Sequence, residues 1–208
     1  MKLIERAINI LVKPTADGEW VAIKGESPSV VDLFKNYAII LAAIPAVAGF
    51  IGNSVIGTSI LGHTFRQPIL NGIIYLVLSY IVSLGGAFLV ALVMDALAPT
   101  FGAKKNLEDS LKVVVYSMTA SWVGGIFAII PLLSFLSALA GIYSLVILFF
   151  GMKAVKAPPA DKMVGYYVVT LIIALVIYVA LGFIVGLIAL ASASAPSASE
   201  ALQMFNKG

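Results

Sequence analysis

The chain of 208 residues is 61% hydrophobic and only 11% charged, and its mean hydropathy is +1.07. Soluble domains average about 25% charged residues, so this composition argues against a soluble fold and predicts a membrane protein. The formal charge of +3 is too small for the dense basic face of a nucleic-acid-binding protein. The absence of cysteine excludes disulfides, thiol catalysis and thiolate metal sites.

The first element in the chain is a predicted amphipathic helix that ends before Pro14. Apolar residues recur there at helical spacing: Leu3, Ile4, Ala7, Ile8 and Leu11. The opposite face is polar, which is typical of a helix lying in the membrane interface. A helix packed on the cytoplasmic loops would show the same pattern, so both placements stay open.

The rest of the N-terminal segment is predicted to be irregular until a second helix begins. Trp20 is a candidate interface anchor, and Val21 to Ile23 are either extended or irregular. Ser27 followed by Pro28 is typical of a helix start, with a capping serine and a proline in the first turn. Residues 1–36 are therefore predicted to form a cytoplasmic N-terminal segment with an amphipathic helix.

Residues 37–191 are predicted to form an all-α domain with five transmembrane helices. The spans lie at about Tyr37 to Leu61, Ile69 to Met94, Val113 to Ile130, Phe135 to Gly151 and Val164 to Leu190. Residues 192–208, rich in Ala and Ser, are predicted to be a flexible external tail.

Helix length indicates two spans in the uncharged stretch between Lys112 and Lys153. Its 40 residues would form a helix of about 60 Å, twice the hydrocarbon core of about 30 Å. The turn is expected near Pro131 to Ser134, where proline interrupts the helical hydrogen bonds. The alternative is one tilted span with a re-entrant segment.

The positions of the positive charges predict the orientation. With the N-terminus in the cytoplasm, all Lys and Arg residues except Arg66 and Lys207 lie inside. Because Lys and Arg in short loops favour the cytoplasmic side, the C-terminus is predicted to be external. The corresponding location is the cytoplasmic (inner) membrane of a cell.

Proline and glycine mark two kinds of site within the spans. Pro45, inside the first span, is a candidate hinge, although a packed structural bend is the commoner role of such a residue. Several glycines are predicted to be close helix contacts or contacts with a second copy of the chain: Gly85, Gly86, Gly124, Gly125, Gly182 and Gly186.

Asp95 is the acidic residue placed nearest to membrane depth. Counting about 1.5 Å per residue from Pro68 puts Asp95 at the cytoplasmic interface. Pairing with a lysine there is the first interpretation, with Lys104, Lys105, Lys112 and Lys153 as candidates. Coordination of a proton or cation is the alternative.

A polar seam is predicted inside the hairpin of the third and fourth spans. It would comprise Tyr116, Thr119, Ser121 and Trp122 on one helix and Tyr143 on the other. Internal hydrogen bonding and a substrate path would both explain such a seam.

The sequence offers no catalytic, cofactor-binding or metal-binding set. His63 is the only histidine, which excludes histidine metal motifs, and an aspartyl protease would need a second carboxylate beside Asp95. No P-loop or dinucleotide fingerprint is present. We expect neither an enzyme nor a cofactor.

The stretch from Leu111 to Tyr167 resembles the bacterial branch of the Yip, or Ypt-interacting-protein, domain family. The resemblance rests on a Tyr-Ser-x-Thr-x-x-Trp run from Tyr116, an Ile-Pro turn at Pro131 and a Gly-x-Tyr-Ser-Leu run from Gly141. It implies five spans with a cytoplasmic N-terminus and a membrane-organising or protein-interaction (adaptor) role.

Two function classes therefore stand. The first is a non-catalytic organiser or adaptor whose partners are the lipid bilayer and either another membrane protein or a second copy of the chain. The second is an oligomeric channel or transporter for an ion or small solute, which Pro45, Asp95 and the Tyr116 to Trp122 seam would serve.

Overall fold

A computed structural model describes residues 3–15, 18–26, 28–60 and 63–194 of the chain. Two short helices, α1 (Leu3–Val12) and α2 (Glu19–Gly25), come first. Five long helices follow: α3 (Val30–Ile56), α4 (Ile69–Phe101), α5 (Leu107–Ile129), α6 (Pro131–Lys156) and α7 (Ala160–Ser194). Each long helix contains a segment long and apolar enough to cross a membrane. The predicted five-span, all-α architecture is confirmed, whereas the orientation of the termini stays a prediction.

Helix α3 begins two residues after Pro28, close to the predicted helix start, and it ends sooner than the predicted first span. The hydroxyl of Ser29 accepts a hydrogen bond from the backbone N–H of Asp32 and caps the helix, while the predicted cap, Ser27, lies outside the described residues. The helix ends at Ile56, before Gly57, whose φ of +83° is left-handed. Thr58–Ile60 (β1) and His63–Phe65 (β2) then form an antiparallel pair in place of the last predicted helical turn.

Helix α3 also contains two π-type turns, at Phe34–Ala38 and Ile51–Ile56. Pro45 lies between them, within the regular α-helical part, Ile39–Phe50. The carbonyl of Ile39, the first residue of the regular part, accepts a hydrogen bond from the hydroxyl of Tyr80 in α4 at 2.9 Å.

Helices α4 to α7 are joined by short connections. The regular part of α4 runs from Ile69 to Leu97, and a 3-10 turn, Ala98–Phe101, closes it. The side chain of Asn106 caps α5. The α5–α6 turn occurs at Ile130, which is extended, next to the position predicted for it at Pro131 to Ser134. Helix α6 finishes in a π-type turn, Met152–Lys156.

The core surrounds α5. Its residues Leu111, Val113 and Val115 have no exposed surface, because α3, α4 and α6 pack around it. Helix α7 packs mainly on α4 and exposes most of its apolar side chains. This distribution is expected for a membrane bundle, in which lipid covers the outer helices.

The N-terminal segment belongs to the same core as the spans. Ala7 and Ile10 of α1 are buried, as are Trp20 and Ile23 of α2. The expectation of an extended or irregular Val21 to Ile23 is wrong, because this stretch lies in α2. Trp20 is also not an interface anchor, since its ring is fully buried against Gly151.

The predicted external tail begins within the last helix. Residues 192–194 belong to α7. Residues 195–208, the remainder of that predicted tail, lie outside the described residues.

Candidate functional site

Asp95 is the centre of a hydrogen-bonded cluster at one end of the bundle, which we call the Asp95 cluster: Asp95, Asn106, Ser110 and Lys156. All of these residues except Asn106 are buried. Asp95 lies in the last turn of regular α4, beside the first turn of α5. Its Oδ1 accepts hydrogen bonds from the backbone N–H of Asn106 at 2.6 Å and from the Ser110 hydroxyl at 3.2 Å. These donors come from the N-terminus of α5, where the helix dipole favours a negative charge.

The positive partner of Asp95 is Lys156. Its Nζ lies 3.2 Å from Asp95 Oδ1 and also donates to the carbonyl of Asn106 at 3.2 Å. The side chains of Asp95 and Lys156 are only 8% and 1% exposed, so the pair is shielded from water. The cluster is neutral, and every charge in it has a hydrogen-bonding partner.

The choice of lysine differs from the sequence expectation. Of the four candidates, Lys112 pairs with Asp109 at 2.8 Å, and the other three are exposed. The π-type turn at the end of α6 and the left-handed backbone of Ala157 direct the chain from α6 into α7 beside Asp95. That local geometry was not apparent from charge spacing.

A second cluster joins the N-terminal segment to the spans. We call it the Arg6 cluster: Arg6, Glu19, Glu26 and Tyr116. Arg6 of α1 forms ion pairs with Glu19 of α2, at 2.9 Å, and with Glu26. The Arg6 guanidinium also lies 5.4 Å from the centre of the Tyr116 ring on α5, within range of a cation–π interaction.

Lys112 of α5 binds the C-terminal end of α2. Its Nζ donates to the carbonyls of Ile23, at 3.2 Å, and Glu26, at 2.7 Å. The last carbonyls of a helix lack intrahelical donors and carry partial negative charge. A buried lysine of α5 therefore caps α2 and attaches it to the third span.

An open polar pocket of about 260 Å³ lies beside the Arg6 cluster. Its lining includes two charged residues, Arg6 and Glu26, and two tyrosines, Tyr37 and Tyr116. The two tyrosine rings meet edge to face at 4.8 Å, and the Tyr37 hydroxyl is 2.7 Å from the Thr119 hydroxyl.

Asp95 and the five residues of the predicted polar seam do not form one site. Tyr116 and Thr119 face α3 and the Arg6 cluster. Ser121 faces α6 instead, where its backbone N–H and its hydroxyl each lie 2.9 Å from the Ser144 hydroxyl. The indole N–H of Trp122 donates to the Ser83 hydroxyl of α4 at 2.8 Å. Helical rotation of 100° per residue separates these side chains.

Tyr143 is also directed away from the other members of the predicted seam. Its hydroxyl donates to the carbonyl of Leu11 in α1 at 2.7 Å. Of the residues predicted to form the polar seam, only Ser121 bonds across the hairpin of α5 and α6. The others attach α5 and α6 to α1, α3 and α4 instead.

The glycines predicted to be helix contacts divide into two groups. A Cβ added to Gly125 would lie 2.5 Å from Pro45 Cβ, and one added to Gly86 would lie 2.7 Å from the Tyr178 ring. Gly124 makes a similar contact with Ala140. By contrast, Gly85, Gly182 and Gly186 have no neighbouring atom within 4 Å of such a Cβ. Pro45 is thus a packing partner of Gly125.

Sequence reasoning missed Arg6, Glu19, Glu26 and Lys156. Residues 1–36 contain five acidic and five basic residues. Buried charges require partners, but this even balance gave no signal of which charges would be buried together. Within the described residues, no group of three or more His, Asp or Glu side chains could hold a metal ion.

Comparison of the sequence with family models finds one match. The model of the Yip1 domain matches residues 8–195, which is nearly the whole chain. No curated protein and no solved structure matches the chain.

Proposed function

Because the chain belongs to the Yip1 domain family and is a multi-pass membrane protein, we propose that it is a non-catalytic membrane-organising or protein-interaction (adaptor) component. Its place would be the cytoplasmic membrane, with α1 and α2 on the cytoplasmic side. The observation that carries the proposal is the way in which α1 is held against the spans.

Helix α1 presents different residues to the bundle and to its surroundings. Arg6, Ala7 and Ile10 are buried against the spans. Ile4 and Val12 are each 70% exposed, and Ile8 is 53% exposed. These three residues recur every four positions, so they form one apolar stripe along the helix.

A hydrogen bond attaches α1 to one of the candidate membrane spans. Tyr143, which holds Leu11, lies midway between the two ends of α6, Pro131 and Lys156. Since α6 is a candidate membrane span, the end of α1 is attached to the membrane domain. The exposed apolar stripe of α1 would then enter the cytoplasmic leaflet, as in interfacial helices. Such a helix, rigidly attached to five spans, would act as a fixed wedge in the leaflet.

The hydrogen bonds inside the spans support this role over the oligomeric channel or transporter. A conducting path requires polar groups that are free to coordinate an ion or solute. The carboxylate of Asp95 is neutralised by Lys156, and Ser121, Trp122 and Tyr143 have internal partners. A channel would have to be lined by polar groups other than these four, at an interface with a second copy of the chain.

Reconstitution in vesicles tests the proposal. Wild-type protein should reduce the mean diameter of vesicles imaged by electron cryomicroscopy, and Ile8→Glu, which places a charge in the stripe, should remove this effect. Thr100→Glu introduces the same charge at an exposed position at the end of α4 and should leave the effect intact. Flux of protons, potassium ions and small solutes should equal that of empty vesicles.

Two outcomes would contradict the proposal. Equal vesicle diameters for wild type and Ile8→Glu would show that the apolar stripe of α1 does not act as a wedge. Flux above the background of empty vesicles, abolished by Asp95→Asn in a folded variant, would favour the channel or transporter.

A further inference from the structure

A crevice of about 390 Å³ lies between α4, α5, α6 and α7. Its floor is formed by Val90 and Val114, whose side chains are buried. Its mouth is formed by Leu145 of α6 and by Ile172 and Leu175 of α7, which are exposed. The crevice therefore opens sideways between α6 and α7, toward the surroundings of the bundle.

The crevice lies at membrane depth on the side of Asp95. Tyr166 of α7 donates a hydrogen bond to the carbonyl of Met94, beside Asp95. Ile172 is six residues further along α7, or about 9 Å at the rise of an α-helix. The mouth is thus continuous with the apolar surface of the leaflet on the Asp95 side, where hydrocarbon chains are the solvent.

The lining determines what can enter. It is almost wholly apolar, and its serines have internal partners: Ser117 donates to the carbonyl of Val113, and Ser144 bonds to Ser121. Water needs two or more polar partners to occupy a buried site, and apolar cavities stay dry but bind hydrocarbons. The chemistry of the lining matches an alkyl chain.

Two lysines extend this match to a lipid headgroup. Lys153 and Lys162 lie toward the Asp95 side of the mouth, at the end of α6 and the start of α7. Both are exposed, and neither forms an ion pair with another described residue. Exposed lysines at the membrane surface attract anionic phospholipids.

We propose that the crevice between α6 and α7 binds one acyl chain of an anionic phospholipid from the leaflet on the Asp95 side, with the lipid phosphate near Lys153 and Lys162. This binding site is independent of the wedge role of α1. It would hold a lipid at a fixed position between the peripheral helix α7 and the rest of the bundle.

Photolabelling in nanodiscs tests the proposal. The nanodiscs would contain phosphatidylcholine, phosphatidylglycerol and a trace of phosphatidylglycerol with a diazirine midway along one acyl chain. Every lipid-facing residue of α7 will be labelled in any case, so the diagnostic adducts are those on Val90 and Val114, which only a chain inside the crevice reaches. Mass spectrometry of peptides should find both adducts.

Matched variants distinguish the crevice from general exposure. Ala174→Phe fills the crevice that Ala174 lines and should abolish labelling of Val114. Ala180→Phe makes the same change at an exposed position of α7 and should leave that labelling unchanged. If Ala174→Phe does not fold, Ile172→Trp at the exposed mouth should block entry equally well.

A separate measurement tests whether Lys153 and Lys162 select the lipid headgroup. Native mass spectrometry of wild type should retain phosphatidylglycerol in preference to phosphatidylcholine, and replacing Lys153 and Lys162 by Gln together should remove the preference. Absence of adducts on Val90 and Val114, labelling that survives both blocking variants, or an unchanged lipid preference would overturn the proposal. So would a cross-link through Ile172 to a second copy of the chain that excludes the lipid probe.

Discussion

Asp95 shows how burial changes the energetics of a charge pair. An exposed pair of this kind would contribute at most about 1 kcal/mol, which is the value expected if Asp95 simply faced cytoplasmic lysines. The structure instead encloses Asp95 and Lys156 together. The pair therefore tolerates poorly the loss of one member, since the other charge would stay buried without compensation.

We expect Asp95→Asn to lower the free energy of unfolding by about 3–5 kcal/mol. Unfolding in mixed detergent micelles, followed by circular dichroism, measures this loss. Lys153→Gln, which removes an exposed charge, should change stability by less than about 0.5 kcal/mol. The double variant Asp95→Asn with Lys156→Met should recover part of the lost stability. If Asp95→Asn alone were as stable as wild type, the buried ion pair would be contradicted.

Two adjacent glycines in α4 provide a second comparison at the scale of the residue. Gly86 packs against the Tyr178 ring, whereas Gly85 has open space. We expect Gly86→Leu to lower the thermal midpoint in detergent by several degrees, because added side-chain volume must displace α7. Gly85→Leu should have little effect. Equal midpoints would show that α7 is not held against α4 at this point.

Of the two N-terminal helices, α1 could be predicted from the sequence and α2 could not. The spacing of apolar residues predicted α1 correctly, and Pro14 follows its end. Helix α2 was missed because Val21 to Ile23 include β-branched residues, which favour strands. Its helical form depends on tertiary contacts: Trp20 buried on Gly151 and the carbonyl contacts of Lys112.

The N-terminal segment should detach when its central charge is removed. In Arg6→Ala, Glu19 and Glu26 lose their positive partner, and the side chain of Glu19, only 10% exposed, would keep a charge without compensation. We expect the fluorescence of Trp20 to shift to longer wavelength and residues 13–18 to become sensitive to protease.

Lys13→Ala, at an exposed position in the same segment, should change neither the fluorescence nor the cleavage. Trp122→Phe as a background leaves Trp20 as the only indole. An unchanged spectrum in Arg6→Ala would show that apolar contacts alone hold α1 and α2.

At the scale of the whole molecule, hydropathy and helix length were sufficient for the five spans. Long apolar segments have few alternatives in a membrane, so the number of spans and the hairpin at Pro131 could be predicted. The polar contacts could not, because their members come from distant parts of the chain. Arg6, Glu26 and Tyr116 meet only after the helices have packed.

The orientation of the bundle can be measured directly. We expect reporter fusions at Gly102 and Pro159 to be cytoplasmic and a fusion at Gly62 to be external, since Lys and Arg are concentrated on the side of Gly102. A fusion after Phe205 should also be external. A cytoplasmic signal at that last position would contradict the predicted orientation.

The attachment of the N-terminal segment has a consequence for the order of biosynthesis. The ribosome makes α1 and α2 first, but the side chains that hold them, Lys112, Tyr116 and Tyr143, belong to the third and fourth spans. Arg6 and Trp20 must therefore wait for their burial until most of the membrane domain has been translated. The beginning of the chain is therefore among the last parts to reach its final position. Helices α1 and α2 dock only after the spans that hold them have been inserted into the membrane.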